Sequence, residues 1–281
     1  MKTHIDCFPC FLKQSIIALR YGTKNVSLQE KILKAVLADI EGADTAKPPA
    51  YTTTFIHRRI RRMLRKDPFK GIKSEYNQIS LGLYPHLKKM VEEGSDPLWT
   101  ASRLAIAGNV IDFGIFTSVD IEGTVGRALQ NPLTVDHYQS FKTALTGAAE
   151  VLYLLDNAGE VVFDRLLIET MVSQGKKVVA VVKGSSVIND CTIKDAREAG
   201  ITEVCEVIDN GSDGVGTILE WTSRDFRQRY RQFPLIISKG QGNFETLKDP
   251  EKTIFYLFQS KCGVVSKELG LSPGSMILKK A

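Results

Sequence analysis

The stretch VLYLLDNAGE, residues 151–160, decides the fold of this chain. Its first half, Val151–Leu155, is an apolar run with turn-forming residues directly behind it, a pattern typical of a buried strand in a parallel sheet. A helical pattern begins at Val161. Asp156 and Asn157 therefore stand where a strand passes into a helix, and ligands of open α/β sheets bind at that end of the strand.

Asp156 and Asn157 offer hard oxygen ligands, which suit Mg²⁺, Mn²⁺ or Ca²⁺. An alternative is that either side chain only caps the following helix, because Asp and Asn are common at that position. The dipeptide alone does not separate a metal site from a helix cap, so the ends of the other strands have to decide.

The bulk properties are those of a soluble globular protein. The chain has 281 residues, of which 43% are apolar and 25% charged, and this length suits one large or two modest domains. No apolar run approaches the roughly 20 residues that span a bilayer, and the first residues show no signal-peptide pattern. We therefore expect a cytoplasmic protein with no membrane partner. Five cysteines spread over a long chain argue against a disulfide framework.

Residues 1–110 predict a mainly helical domain, with a capping box at Ser27–Glu30 at the start of one helix. They hold 18 lysines and arginines against 10 acidic residues, a net charge of +8, whereas residues 111–281 carry −3. The helix expected at Thr54–Lys66 contains five arginines, so nucleic acid has to be considered as a partner. These arginines spread over several faces, and a solvated helical surface is the better interpretation.

Residues 111–281 alternate strand and helix, which predicts βαβ units and an α/β fold with a mainly parallel, Rossmann-like sheet. Further strands are expected at Lys177–Val182, Val204–Ile208, Leu235–Ile237 and Thr253–Phe258, with a short last strand at Met276–Leu278.

Polar residues follow these strands, and parallel strands would bring them to one edge of the sheet. They are Asp156, Asn157, Asp190, Asp209, Asp213, Lys183 and Lys239. Oxygen ligands beside lysines and glycine-rich turns indicate a divalent metal and an anionic substrate, of which a phosphate is the simplest. In the turn Ser238–Asn243, Lys239 would add charge while backbone N–H groups contact phosphate oxygens.

Several familiar chemistries lack their motifs. No GxxxxGK[ST] is present, and no GxGxxG follows a strand, which argues against P-loop, dinucleotide and S-adenosylmethionine sites. Asp156 is not followed two positions later by a second Asp, as haloacid-type phosphatases would require. The four histidines lie outside the strand-end clusters, so a histidine-rich zinc hydrolase is not expected.

Two N-terminal motifs are ambiguous by themselves. Cys7-Phe8-Pro9-Cys10 is a CxxC motif that could hold half a zinc site, form a redox pair or be two plain thiols at a helix start. The segment Gly108–Asp112 places Asn109 and Asp112 on one helical face, either toward a pocket or as a helix terminus.

Five motifs occur in a fixed order. They are the CxxC with Lys13-Gln14, Gly108–Asp112, Leu155–Glu160, Asn189-Asp190 and Ser238–Asn243. Together they resemble the damage-control phosphatase family, formerly a domain of unknown function, and the CxxC is similar to its microbial subfamily I. The resemblance implies a three-layer α/β/α domain over residues 111–281, with the helical domain of residues 1–110 packed over the active site. It also implies a metal-dependent phosphatase that acts on small phosphorylated metabolites, such as damaged nucleotides, related intermediates or sugar phosphates.

The resemblance also assigns roles to individual residues. Asp156, Asn157 and Asp190 match the metal ligands, with Mn²⁺ or Ni²⁺ favoured and Co²⁺ or Mg²⁺ as alternatives. Asp156, Asp190 and Lys239 become the expected catalytic residues, with either an aspartate or a water as the attacking group. The segment before Asp190 departs from the family because it lacks a proline, which puts the shape of that loop in doubt.

Five residues are expected near the substrate by the same resemblance and the glycine-rich turn: Asn109, Asp112, Lys239, Gly240 and Gly242. Two other classes stay open. One is a carboxyl methyltransferase that uses S-adenosylmethionine, against which the missing glycine-rich cofactor loop argues. The other is a non-catalytic nucleotide- or nucleic-acid-binding protein, which the arginine-rich helix would favour.

Overall fold

A computed structural model describes residues 1–110 and 121–281. Its α-helices are α1 (Cys7–Gly22), α2 (Val26–Glu41), α3 (Pro49–Leu64), α4 (Lys70–Glu92), α5 (Pro97–Val110), α6 (Ile121–Gln130), α7 (Tyr138–Gly147), α8 (Glu160–Ser173), α9 (Ile193–Glu198), α10 (Arg224–Gln232), α11 (Gln241–Thr246) and α12 (Gly263–Leu269). Its strands are β1 (Val135–Asp136), β2 (Glu150–Leu154), β3 (Lys177–Val182), β4 (Glu206–Asp209), β5 (Leu235–Lys239), β6 (Thr253–Gln259) and β7 (Met276–Lys280).

The strands form one sheet in the order β1-β7-β6-β5-β2-β3-β4. Every neighbouring pair is parallel except β6 and β7, which are antiparallel. The expected α/β fold with a mainly parallel sheet is therefore confirmed. Strand β2 lies between β3 and β5, where the chain changes direction across the sheet. Such a switch point opens a crevice at the carboxyl ends of the strands.

Helices cover both faces of the sheet, and the alternation of side chains along β2 shows why. Val151 and Tyr153 face a core shared with α4, α5 and α8, whereas Leu152 and Leu154 face a second core shared with α10 and α11. All four side chains are fully buried or nearly so. Burial of each contributes on the order of 2 kcal/mol, so both helical layers are strongly held.

Helices α1, α2 and α3 build a third, smaller core of their own. It includes Phe11, Ile32, Val36, Ile56 and Ile60, and Phe69 closes it. This bundle lies over the carboxyl ends of the strands, since residues of α1 and α3 line a cavity together with the turn after β2. The domain boundary expected at residue 110 stays a prediction. Helices α4 and α5, which precede it, pack into the core of the sheet.

None of the described helices has both the length and the apolar character needed to cross a membrane.

Candidate active site

Two backbone hydrogen bonds join the turn after β2 to the loop after β3. The amide of Ala158 donates to the carbonyl of Asn189 (2.9 Å), and the amide of Cys191 donates to the carbonyl of Asp156 (2.7 Å). A β-bridge pairs the residues between them. The two strand ends therefore bring together the three expected metal ligands, Asp156, Asn157 and Asp190.

The loop that carries Asp190 is strained and anchored. Ile188 has a φ of 43°, a left-handed conformation that a β-branched residue rarely adopts. The ammonium of Lys73 on α4 lies 3.5 Å from the carbonyl oxygen of Asp190 and 3.0 Å from the carboxylate of Asp195. The buried lysine thus fixes the loop from the side, and Asp190 stays opposite Asn157 although the family's proline is missing.

The two site aspartates are crowded by negative charge. Burial, followed by repulsion from Glu160 and Asp190, raises the pKa of Asp156 well above its ordinary value. Burial also raises the pKa of Asp190, against the opposing effect of Lys183. A divalent cation between the carboxylates would relieve this unfavourable concentration of charge.

Asp190 also has an unused acceptor. The side chain is 4% exposed, and its Oδ2 has no hydrogen-bond partner among the described residues. Lys183 Nζ lies 3.4 Å away and forms an ion pair with it. The side-chain amide of Asn157 donates hydrogen bonds to Asp156 Oδ2 (2.8 Å) and to Glu160 Oε2 (2.9 Å). Its carbonyl oxygen therefore points away from these two carboxylates.

These donors fit a hard divalent ion that takes its remaining ligands from water or substrate. In residues 1–110 and 121–281, no group of three or more His, Cys, Asp and Glu side chains is arranged to hold a metal. The fit therefore depends on Asn157 as a neutral third donor beside Asp156 and Asp190.

Gly240 makes room for the central carboxylate. Its φ is +78°, and a Cβ at this position would stand 1.9 Å from Asp156 Oδ2. Its amide donates to the carbonyl of Leu257 (3.3 Å), so this N–H is used inside the sheet. Gly242 lines the cavity itself. The two glycines of the turn thus shape the site, one by leaving space and one by lining it.

A buried ionic network lies beneath the aspartates. Lys239 is 0% exposed, and its ammonium donates to Glu160 (2.6 Å), to Asp164 (2.7 Å) and to the carbonyl of Ala105 (2.9 Å). Burial would lower the pKa of Lys239, but Asp164 and Glu160 raise it overall. Burial has the opposite effect on a carboxyl group, and it raises the pKa of Asp164 to about 7. The lysine therefore stays charged and holds two carboxylates in place.

Lys239 was expected beside the phosphate, and this placement requires a correction. As the last residue of β5, its side chain points into the layer of α5 and α8, where Glu160 and Asp164 neutralise it. Among the described residues its link to the site is Glu160, whose other oxygen accepts a hydrogen bond from the Asn157 amide. Its expected catalytic role is therefore, at most, one of positioning.

Asn109 belongs to the same layer. It is 1% exposed, and its Nδ2 donates to Glu160 Oε2 (2.9 Å) and lies 3.3 Å from Asp156 Oδ2, while Gln259 N donates to its Oδ1 (3.1 Å). Close packing of α5 on α8 places it there. Gly108 permits this packing, because a Cβ at that position would lie 2.8 Å from Phe163. Asn109 thus orients carboxylates. Asp112 lies outside the described residues.

The cavity above the aspartates has a volume of about 150 Å³. Besides the turn residues, it is lined by side chains that the motifs did not assign: Gln14, Ile17, His57, Phe69, Val215, Gln241 and Lys261. Lys261 lowers the pKa of Asp156, which identifies it as a nearby positive charge. Gln14 lies in one of the quoted motifs, but no role was expected for it. His57 had no sequence signal, because the packing of α3 brings it to the cavity.

Cys7 and Cys10 lie on the first turn of α1 as free thiols. They line a neighbouring cavity of about 440 Å³ together with Cys262 and Glu245. Burial raises the pKa of Cys7, which disfavours a reactive thiolate. Their redox or metal role stays a prediction.

Three arginines of α3 form ion pairs within the fold. Arg58 and Arg61 pair with Asp213, at 2.5 Å in each case, and Arg59 pairs with Asp39. Asp213 was expected at the site edge, and these ion pairs hold it against the helical bundle instead. Three of the arginines that favoured a nucleic-acid partner are therefore engaged in ion pairs within the fold, and two of them share one carboxylate.

Comparisons with known proteins bear on the fold and the family. An uncharacterised protein of Methanocaldococcus jannaschii is 34% identical over 100% of this chain and 96% of its own length. A damage-control phosphatase of Pyrococcus horikoshii is 31% identical over 99% of this chain and 97% of its own. A crystal structure of a DUF89 family protein from Pyrococcus horikoshii superposes with a TM-score of 0.88 and 29% identity, covering 100% of this chain and 99% of the other.

The match to the damage-control phosphatase ARMT1-like domain runs over residues 3–277. It spans the helical bundle, the sheet and every motif quoted for the resemblance. Membership supports a house-cleaning phosphatase as the class of activity. This chain belongs to the damage-control phosphatase ARMT1-like family.

Proposed function

We propose that the chain is a metal-dependent phosphomonoester hydrolase that acts on small phosphorylated metabolites. The observation that carries the proposal is the convergence of two buried carboxylates and an amide, with Asp190 Oδ2 left without a hydrogen bond among the described residues. Two carboxylates with raised pKa values at one point are an unstable arrangement unless a cation or a proton joins them.

Asp156, Asn157 and Asp190 would hold the ion, with Mn²⁺ or Ni²⁺ as the first choices and Co²⁺ or Mg²⁺ as alternatives. When bound, the ion supplies Lewis-acid polarisation of the phosphoryl group and activation of water. Lys261, at the rim, would bind the phosphate oxygens electrostatically. Gly242 and the narrow cavity would orient the ester, while Asn109, Glu160 and Lys239 keep the ligands in place from below.

The test is to remove metal with a chelator and then restore single ions while following hydrolysis of p-nitrophenyl phosphate. We expect activity to vanish on chelation and to return with Mn²⁺ or Ni²⁺, and more weakly with Co²⁺ or Mg²⁺. Isothermal titration of the chelated protein with the same ions provides a readout of binding that does not depend on turnover. Full activity after exhaustive chelation would contradict the metal dependence.

A failure to hydrolyse any phosphoester, from a folded protein that binds the ions, would contradict the hydrolase itself. Binding of S-adenosylmethionine would then be measured by the same calorimetry, because a carboxyl methyltransferase is the remaining enzymatic alternative.

A further inference from the structure

We propose that Gln14 and His57 form a subsite for the leaving group and recognise an uncharged hydroxyl group close to the phosphoester. The inference rests on the proposed phosphatase and deepens it by naming the substrate class: hydroxylated phosphomonoesters rather than simple alkyl ones. Both residues come from the helical bundle, Gln14 from α1 and His57 from α3.

Both side chains carry a buried polar atom without a partner. Gln14 Oε1 and His57 Nε2 find no hydrogen bond within the ranges that the structure describes. His57 is 1% exposed, and both residues line the cavity that contains Asp156 and Asp190. Leaving a buried polar atom unsatisfied costs about 1–3 kcal/mol. Two such atoms at the wall of one cavity point to a ligand that satisfies them.

The chemistry of the two side chains selects a neutral partner. Burial, reinforced by Arg61, lowers the pKa of His57 to about 3, so its imidazole is uncharged at working pH. The amide oxygen of Gln14 accepts hydrogen bonds, and one nitrogen of a neutral imidazole donates while the other accepts. A hydroxyl group both donates and accepts, so it is a suitable partner for either atom. A second anionic group would gain no opposite charge from either.

The rest of the cavity leaves room for the remainder of the leaving group. Ile17, Phe69 and Val215 supply apolar walls beside the polar pair. Gln14 and Val215 also line the second cavity of about 440 Å³, so the leaving group can continue toward α1. Selectivity is therefore expected at the hydroxyl nearest the phosphate, with tolerance farther away.

The experiment compares glycerol 3-phosphate with propyl phosphate, which share a carbon skeleton and differ in their hydroxyl groups, and uses p-nitrophenyl phosphate as a third substrate. The variants are His57→Phe and Gln14→Leu, with His86→Phe on an exposed position of α4 as the matched control. We expect each site variant to lower kcat/KM for glycerol 3-phosphate about tenfold, the loss of one hydrogen bond. The other two substrates should change less than twofold.

Thermal unfolding identifies any variant that fails to fold, and Gln14→Leu, which is half-buried, supports the test if His57→Phe is unstable. Equal losses on all three substrates, or no loss on glycerol 3-phosphate, would overturn the subsite while the phosphatase stands. Absence of metal-dependent turnover by the unmodified protein on every substrate would overturn the proposed function, and the subsite with it.

Discussion

Buried polar atoms on the two sides of Asp156 differ in whether they have hydrogen-bond partners. Below it, Lys239 Nζ has three partners and both oxygens of Glu160 are hydrogen-bonded. Above it, among the described residues, Gln14 Oε1, His57 Nε2 and Asp190 Oδ2 have no hydrogen-bond partner. The lower layer is a nearly complete network, apart from Asp164 Oδ2, which is also unpaired.

This difference separates scaffold from binding surface. Because buried polar groups are normally satisfied, a saturated network is explained by the fold alone, whereas a cluster of unsatisfied atoms at a cavity wall indicates a place where a ligand, an ion or water binds. Variants below Asp156 should therefore act mainly on stability, and variants at or above it mainly on activity.

The largest effect is expected for Asp156→Ala. Removal of the central carboxylate should reduce turnover at least about 10³-fold, since the proposed ligand is lost. The free energy of unfolding should stay within about 1 kcal/mol of the unmodified protein or rise, because a crowded buried charge disappears. Aryl phosphate hydrolysis measures turnover, metal titration measures the loss of the proposed ligand, and urea unfolding measures stability.

Asp209→Ala provides the matched control, since Asp209 ends the neighbouring strand β4 but is exposed. It should leave turnover within a factor of two. Metal-dependent turnover retained in Asp156→Ala would remove this carboxylate from the mechanism.

Lys239→Met tests the lower layer. It leaves Glu160 and Asp164 buried without their cation, and we expect a loss of about 3–5 kcal/mol in the free energy of unfolding. Lys177→Met removes an exposed ion pair with Glu150 at 2.7 Å and should cost less than about 1 kcal/mol. Equal urea midpoints for the two variants would refute a structural role for Lys239.

Glu245 is a third kind of buried carboxyl group. Glu160 and Asp164 are paired with the charged Lys239, whereas Glu245 accepts a hydrogen bond from the neutral amide of Gln241. Burial raises its pKa to about 7, against an ordinary value of 4.5, although Gln241 donates to it at 2.8 Å. The native carboxyl then keeps its proton through a range in which the unfolded chain has lost it. The contribution of Glu245 to stability is consequently highest below pH 4.5 and falls as the pH rises from about 4.5 to about 7.

Glu245→Gln should remove this dependence. At about pH 8 the variant should exceed the unmodified protein by roughly 3 kcal/mol, and near pH 4 the two should agree. Urea unfolding across this range measures the difference. A gap that does not change with pH would show that the carboxyl ionises normally.

The strands and their shared edge were predictable, because apolar runs followed by polar turns repeat along residues 151–258. Convergence of Asp156, Asn157 and Asp190 follows from parallel pairing of β2 and β3. The depth of each side chain was not predictable in this way. Lys239 is the last residue of β5, as Leu154 is the last residue of β2. Its side chain is buried because Glu160 and Asp164 form ion pairs with its ammonium group.

The contribution of the helical bundle was the hardest to foresee. His57 stands in a basic helix whose pattern indicates a solvated face, yet it is buried against Phe69, with ring centroids 6.1 Å apart. Its place in the cavity depends on contacts between α3 and loops about 100 or more residues away, and a single sequence carries no local signal for such contacts.

Gly240→Ala has a smaller expected effect on stability than Lys239→Met or Glu245→Gln, and it separates conformational strain from crowding of the site. The residue has a φ of +78°, and the added methyl group would overlap Asp156 Oδ2 at 1.9 Å. We expect a loss of about 2 kcal/mol in the free energy of unfolding and a fall in turnover of about 10²-fold, because the carboxylate must move. Urea unfolding and aryl phosphate hydrolysis measure both.

Gly270→Ala adds a methyl group at another glycine of positive φ, without the crowding. Its ψ of 29° gives the ordinary left-handed conformation, whereas the ψ of 157° at Gly240 belongs to a region that is essentially restricted to glycine. The φ of Gly270 is +68°, and no heavy atom lies within 4 Å of the added Cβ among the described residues. It should lose about 1 kcal/mol of stability and keep full turnover, since left-handed backbone costs an alanine that much anywhere. If both variants lose turnover equally, the activity follows global stability. If only Gly240→Ala does, the space left for Asp156 is a property of the active site itself.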